Sequence, residues 1–205
     1  MAMRTLRWCT ALLAISNPAF LAAQSRAESA GQVFERGGAE FLKGNFASAE
    51  KLFRQAAQMD PAMIDAQEYL GHTLFREERY QEAIPVYLRV LRLDSKRVLP
   101  LAHHRVVIDE LGMAYGISGD LPTAKSHFET AIQDDPDYPM FYYNLACAYG
   151  EMGDLDHVLA NLRAAFARKQ NLNQFEDMPD PAHDDSFGRF VQDPRFKKFL
   201  GEIQR

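Results

Sequence analysis

Apolar positions along the chain recur every three or four residues, the spacing of one face of a helix, in short stretches broken by Gly or Asp-Pro. The stretch from Arg105 to Tyr138 shows the pattern most fully. Leu111, Gly112 and Tyr115 mark a first amphipathic helix. Gly119 and Asp120 form a turn, and Ala124, Phe128 and Ala131 mark a second helix closed by Asp135–Pro136.

This helical pair recurs. Gly37 and Gly71 lie 34 residues apart, as do Gly112 and Ala146, while Gly71 and Gly112 are separated by that period plus a seven-residue insert. A second small position keeps phase at Ala49, Ala83 and Ala124, then Val158. A large apolar residue follows four places later at Phe53, Tyr87, Phe128 and Leu162, and Ala56, Val90, Ala131 and Ala165 come three after that. Self-similarity at one period is the mark of a repeat array, and the units fall at 30–63, 64–97, 105–138 and 139–172. Small residues where two helices cross let their axes approach to ~8–10 Å. Gly44, Gly119 and Gly153 stand where a first helix ends and a positive φ is wanted. Pro61 and Pro136 stand where a second helix must stop. A lone pair leaves much of its apolar stripe in water, so stability must come from stacking.

The helix-turn-helix length of 34, the Ala-x3-aromatic-x2-Ala run and the closing Asp-Pro together resemble the tetratricopeptide repeat family. That resemblance covers about two thirds of the chain. It implies an all-α protein, a right-handed α-solenoid whose first helices line a concave face. Departures from the pattern carry their own expectations. Arg36 and Glu40, in place of apolar residues, suit a polar array terminus. Glu78–Arg79 replaces a glycine turn, Val158 widens a crossing, and Gln170 in place of proline lets the last repeat helix run on.

The insert, Val98–His104, is expected to lengthen the next helix by about two turns, with Pro100 near its start. His103 and His104 are adjacent, so on a helix they point about 100° apart and cannot clasp one metal ion. Residues 173–185 are acidic and proline-containing, which reads as a loop laid over the surface. Asp193–Pro194 then starts a short capping helix whose Phe196, Phe199, Leu200 and Ile203, with Phe187 and Phe190, form a lid on the last repeat.

Residues 1–23 read as an export signal. Arg4 and Arg7 precede an apolar run, the first acid is Glu28, and Leu21-Ala22-Ala23 offers a cleavage site. A retained anchor and an organellar transit peptide are the alternatives. The protein is therefore expected to be exported, periplasmic or secreted, with no lipid insertion once the signal is gone. Removal takes Cys9 with it and leaves Cys147 alone, so no internal disulfide can form. The net charge of −5 argues against nucleic acid or anionic lipid as partner.

No metalloprotease helix, phosphate loop, nucleophile elbow or dinucleotide fingerprint occurs, so no catalytic residue, metal site or cofactor is assigned. His183, Asp184, Asp185 and Ser186 carry triad residue types, but as sequence neighbours in a loop they are not a triad. The resemblance implies a groove formed by Asp65, Glu68, Tyr69, His72 and Arg76 in the second unit, Asp109, Glu110 and Met113 in the third, and Tyr143, Asn144 and Cys147 in the fourth. Phe34 and Phe41 extend it. Such a groove suits a protein or peptide segment that sets Lys or Arg beside apolar anchors. The expected function is a non-catalytic adaptor, scaffold or assembly factor. A homo-oligomeric scaffold and a redox or hydrolase accessory using Cys147 are the other readings.

Overall fold

Residues 28–203 are described by a computed structural model, and the stretch read as an export signal lies outside them. Ser29 opens the first helix with a reciprocal cap: its Oγ accepts from the Gln32 N–H at 3.2 Å, and its own N–H donates to Gln32 Oε1 at 2.9 Å. Four helical pairs follow: α1 (Ala30–Leu42) and α2 (Phe46–Met59), α3 (Ile64–Arg76) and α4 (Tyr80–Leu93), α5 (Leu101–Ile117) and α6 (Leu121–Asp134), α7 (Pro139–Met152) and α8 (Leu155–Phe166). A last helix, α9, spans Pro194–Ile203. The described residues contain no β-strand.

Three of the four intra-pair turns place a glycine at positive φ: Gly44 at +77°, Gly119 at +91° and Gly153 at +80°. The α3–α4 turn gives the same task to Glu78, at φ +59°, which an L residue adopts at a cost. Each helix packs on the next, and the first helices also touch one another in order, α1 with α3, α3 with α5 and α5 with α7. That second set of contacts puts the first helices on the inner side of an α-solenoid. The aromatic landmarks Phe53, Tyr87 and Phe128 are fully buried. Besides filling the space between units, each ring lies on the glycine of its own pair: a Cβ on Gly37 would stand 2.7 Å from Phe53 Cε1.

Two expectations about helix length are corrected. The insert extends α5 to 17 residues against 13 or 14 in the other first helices, about one turn and not two. Asp94 is the cause. Its Oδ1 accepts the N–H groups of Val98 and Leu99 at 2.6 and 2.9 Å, and His104 Nδ1 donates to its Oδ2 at 2.7 Å. The first residues of the insert are thereby held in a loop, and Pro100 stands just outside the helix. At the other end α8 does not run on but stops at Phe166. Arg168 Nε donates to the Pro136 carbonyl and Asn171 Nδ2 to that of Asp137, so two polar side chains draw the chain back towards the start of α7.

Beyond Leu172 the chain forms a strap, residues 173–193, before α9. Phe187, Phe196 and Phe199 are fully buried and Phe190 nearly so. Phe187 meets Tyr143 edge-on at 5.9 Å, and Phe199 meets Phe166 at 5.9 Å. The strap therefore covers α7 while α9 covers α8.

Candidate functional site

The inner side divides into two halves. The N-terminal half is built by α1, α3 and α5. Phe34 and Phe41 set their rings against Tyr69 at 5.5 and 5.8 Å, both edge-on. One turn along α3, His72 bridges two acids: Nδ1 donates to Glu110 at 2.6 Å and Nε2 to Glu68 at 3.4 Å. Burial alone would push the His72 imidazole down, but Glu110 and then Glu68 outweigh it and raise it to about 9. The Tyr87 hydroxyl also donates to Glu110. His103 reaches from α5 to donate its Nδ1–H to Glu68 Oε1 at 2.7 Å. Glu68 Oε2 is buried without a donor among the described residues.

Here the cleft is about 320 Å³, walled by Phe41, Tyr69, Ala102 and Val106, with Glu68, His72 and His103 beneath and Asn173, Gln174 and Glu176 of the strap along one side. The strap wall is held from below. Tyr138 donates its hydroxyl to Glu176 at 2.9 Å, and Asn173 donates both its N–H and its Nδ2 to the same carboxylate at 2.9 Å.

The C-terminal half is partly covered by the chain itself. Tyr143 donates its hydroxyl to Asp184 Oδ2 at 2.9 Å, and Cys147 Sγ lies 3.7 Å from the same oxygen. The Ser186 carbonyl is seated so closely over Gly150 that a Cβ there would collide with it. Burial, with Asp184 beside it, pushes the Cys147 thiol well up, opposite to what a reactive thiol needs. Asn144 donates to Asp109 Oδ1 at 2.6 Å. Burial raises the Asp109 carboxyl to about 8 against the pull of that hydrogen bond, and Glu110 and Glu176 add to the rise. Between strap, α5, α6 and α7 remains a cleft of about 540 Å³, whose lining includes Met113, Phe128, Asn144 and Cys147.

The eleven groove residues named from sequence thus separate into distinct sets. Glu68, Tyr69, His72 and Glu110 come together in the N-terminal half. Asp109, Met113, Tyr143, Asn144 and Cys147 lie in the half that the strap covers. Asp65 is exposed in the first turn of α3, and Arg76 stands 5.9 Å over the Phe46 ring; neither lines either of the two clefts described. Sequence reasoning missed His103, Tyr87, Glu176 and Asp184. His103 lies in the insert, outside any motif, Tyr87 reads only as a packing landmark of the repeat, and the strap residues have no counterpart in the repeat. His103 and His104 do diverge, one to Glu68 and the other to Asp94.

A search of curated proteins finds no match to the chain. Solved structures similar in fold include MamA at 18% identity, with a TM-score of 0.63 over 74% of this chain and 85% of that one. MamA from Desulfovibrio magneticus RS-1 gives 18% and 0.63, over 75% of this chain and 82% of that one. YrrB, a protein described as a TPR protein with an unusual peptide-binding site, gives 15% and 0.61, over 90% and 91%. Tetratricopeptide repeat families match residues 34–97, 112–153 and 141–172. With the repeat landmarks in equivalent places and the helices stacked in order, the chain belongs to the tetratricopeptide repeat family.

Proposed function

We propose that this protein is a non-catalytic interaction module, an exported adaptor or assembly factor that receives a partner segment in the N-terminal half of its groove. The observation that carries this reading is the unequal use of the polar groups on the inner side. In the half lined by Tyr143 and Cys147 the strap's Asp184 already takes the polar contacts, whereas one oxygen of Glu68 in the aromatic and acidic cleft beside Tyr69 has no donor among the described residues. The mixture there of Phe41, Tyr69 and Val106 with Glu68 and Glu176 suits a segment bearing apolar and basic residues. The peptide-binding site named for YrrB, on a similar fold, points the same way. Cys147, half-buried beside Asp184 with its thiol pushed well up, does not suit a redox role.

A photo-reactive amino acid placed at Tyr69 or Val106, and for comparison at exposed Leu88 on α4, tests the reading. Cross-links to one protein from both groove positions and none from Leu88 are expected. Cross-links from Leu88 alone would move the interaction to the outer helices.

A further inference from the structure

We propose that the N-terminal cleft holds the side chain of a lysine or arginine from the bound segment, with Glu68 as its counter-ion and Phe175 covering the apolar residue beside it. This rests on the groove reading above and names the chemistry of that site.

Glu68 carries the inference. Its side chain is only 2% exposed, and it lines the cleft. One oxygen accepts from His103 and His72, while the other is buried with no donor. A buried acceptor left unmade is destabilising until a donor reaches it. The charges nearby select the sign of that donor. Glu68 and Glu176 line the cleft and Glu110 stands behind His72, so one imidazolium faces three carboxylates. Among the described residues no arginine or lysine lines the cleft, and Arg105, two residues on from His103, is committed to Asp135 at 2.7 Å. An anion is therefore excluded and a cation favoured.

Shape selects the kind of cation. The described residues contain no cluster of three His, Cys, Asp or Glu fit to hold a metal ion. The walls are Phe41, Tyr69 and Val106, which suit an alkyl stem with the charged head at the bottom. At about 320 Å³ the cleft is near the low end of the ~300–1,000 Å³ range of ligand pockets, so it fits a side chain better than a large molecule. His103, with 44% of its side chain exposed, is the movable cover over Glu68.

Phe175 supplies the second contact. It stands between Gln174 and Glu176, both lining the cleft, yet it is itself 94% exposed and at φ +69°. A bulky aromatic at positive φ costs conformational energy, and here no burial within the chain offsets it. Covering by an apolar residue of the bound segment would supply that burial.

The test is selection of random dodecapeptides displayed on phage against the full chain. Enrichment of Lys or Arg beside an apolar residue is expected. In a resynthesised peptide, replacing that Lys by norleucine should weaken binding to the wild type by about tenfold, the loss of one ion pair in a partly buried site. The same replacement should cost less than about twofold against Glu68→Gln, because the coupling is gone. Phe175→Ala should weaken every peptide and leave the Lys-to-norleucine ratio unchanged. If Glu68→Gln fails to fold by circular dichroism, His103→Ala serves instead, since removing one of the two donors to Glu68 Oε1 and the side chain over it should raise the ratio. Apolar peptides without basic residues would overturn the cation seat while leaving the groove reading intact. An equal ratio in wild type and variant would remove Glu68 from the site. Binding that EDTA abolishes would assign the cleft to a metal ion. Failure of every peptide to bind would overturn the groove reading together with this one.

Discussion

A Cβ added at Gly112 would stand closer than 3.0 Å to three carbons of the Phe128 ring. Gly71 meets Tyr87 in the same way, and Gly37 comes within 3.0 Å of two carbons of the Phe53 ring, each aromatic sixteen residues after its glycine. In the fourth pair the equivalent residues are Ala146 and Leu162, both fully buried. The methyl appears where the ring is replaced by a smaller side chain. Glycine at this position is therefore a consequence of the aromatic, and the two are expected to change together.

Gly112→Ala is accordingly expected to destabilise. Overpacking a buried site costs about 1–3 kcal/mol, and the better helix propensity of alanine returns at most about 1. For a chain of this size the midpoint of thermal unfolding should fall by roughly 2–8 °C. Adding Phe128→Leu, which copies the fourth pair, should recover part of the loss on the Gly112→Ala background while destabilising the wild type. If the double variant melts below both single variants, the proposed pairing is wrong.

The turn between α3 and α4 offers a gain. Glu78 is exposed and holds φ +59°, where the other three turns use glycine. Glu78→Gly removes an αL cost of about 1–2 kcal/mol and adds an unfolded-state entropy cost of about 0.5–1. A net stabilisation of about 0.5–1 kcal/mol is expected in a urea titration. Gly153→Ala should lose more than that, since its added Cβ would also meet Arg189 Nη1 at 2.8 Å.

Two groups on the inner side give stability a pH dependence of one sign. His72 is raised to about 9, so the native state holds a proton between pH 6.5 and 9 that the unfolded chain releases. Its stabilisation is complete below 6.5 and lost as pH rises through 9. Asp109, raised to about 8 by burial, likewise stays protonated in the native state above its unfolded value near 4. Stability thus declines as pH rises from 4 to 8 on its account. The melting temperature should be lower at pH 9 than at pH 6. Asp109→Asn should flatten the lower part of that decline and His72→Gln the upper part. A flat profile in the wild type would contradict both assignments.

The repeat was legible because its contacts are local: Gly71 meets Tyr87 sixteen residues on, and each pair repeats the arrangement, so the spacing shows in the sequence. The groove was less legible. His72 bonds Glu110 across 38 residues and Tyr143 bonds Asp184 across 41, and neither separation leaves a periodic trace. The acids that the sequence and the structure place on the inner side are therefore of different kinds. Glu68 and Asp109 are partners of internal donors, Asp65 is free in water, and Glu176 arrives from outside the repeats. The helix lengths at the insert and after α8 went astray for a related reason, because side chains of Asp94, Arg168 and Asn171 fix the chain where periodicity is silent.

Cys147 reports on the strap. Its Sγ lies 3.7 Å from Asp184 Oδ2, which also accepts from Tyr143. Burial pushes the thiol up, so little thiolate is present at pH 7 and a maleimide or disulfide reagent should react slowly. Asp184→Ala removes the hydrogen-bond acceptor that fixes the strap over α7, and it also removes a carboxylate that disfavours the thiolate. Both changes act in the same direction, so labelling should accelerate by about tenfold or more if the strap lifts. The two contributions separate with Asp184→Asn, which removes the charge while keeping an oxygen to accept from Tyr143. That variant should accelerate labelling by less than Asp184→Ala. Equal rates in the two would assign the protection of Cys147 to the charge of Asp184 and not to coverage by the strap.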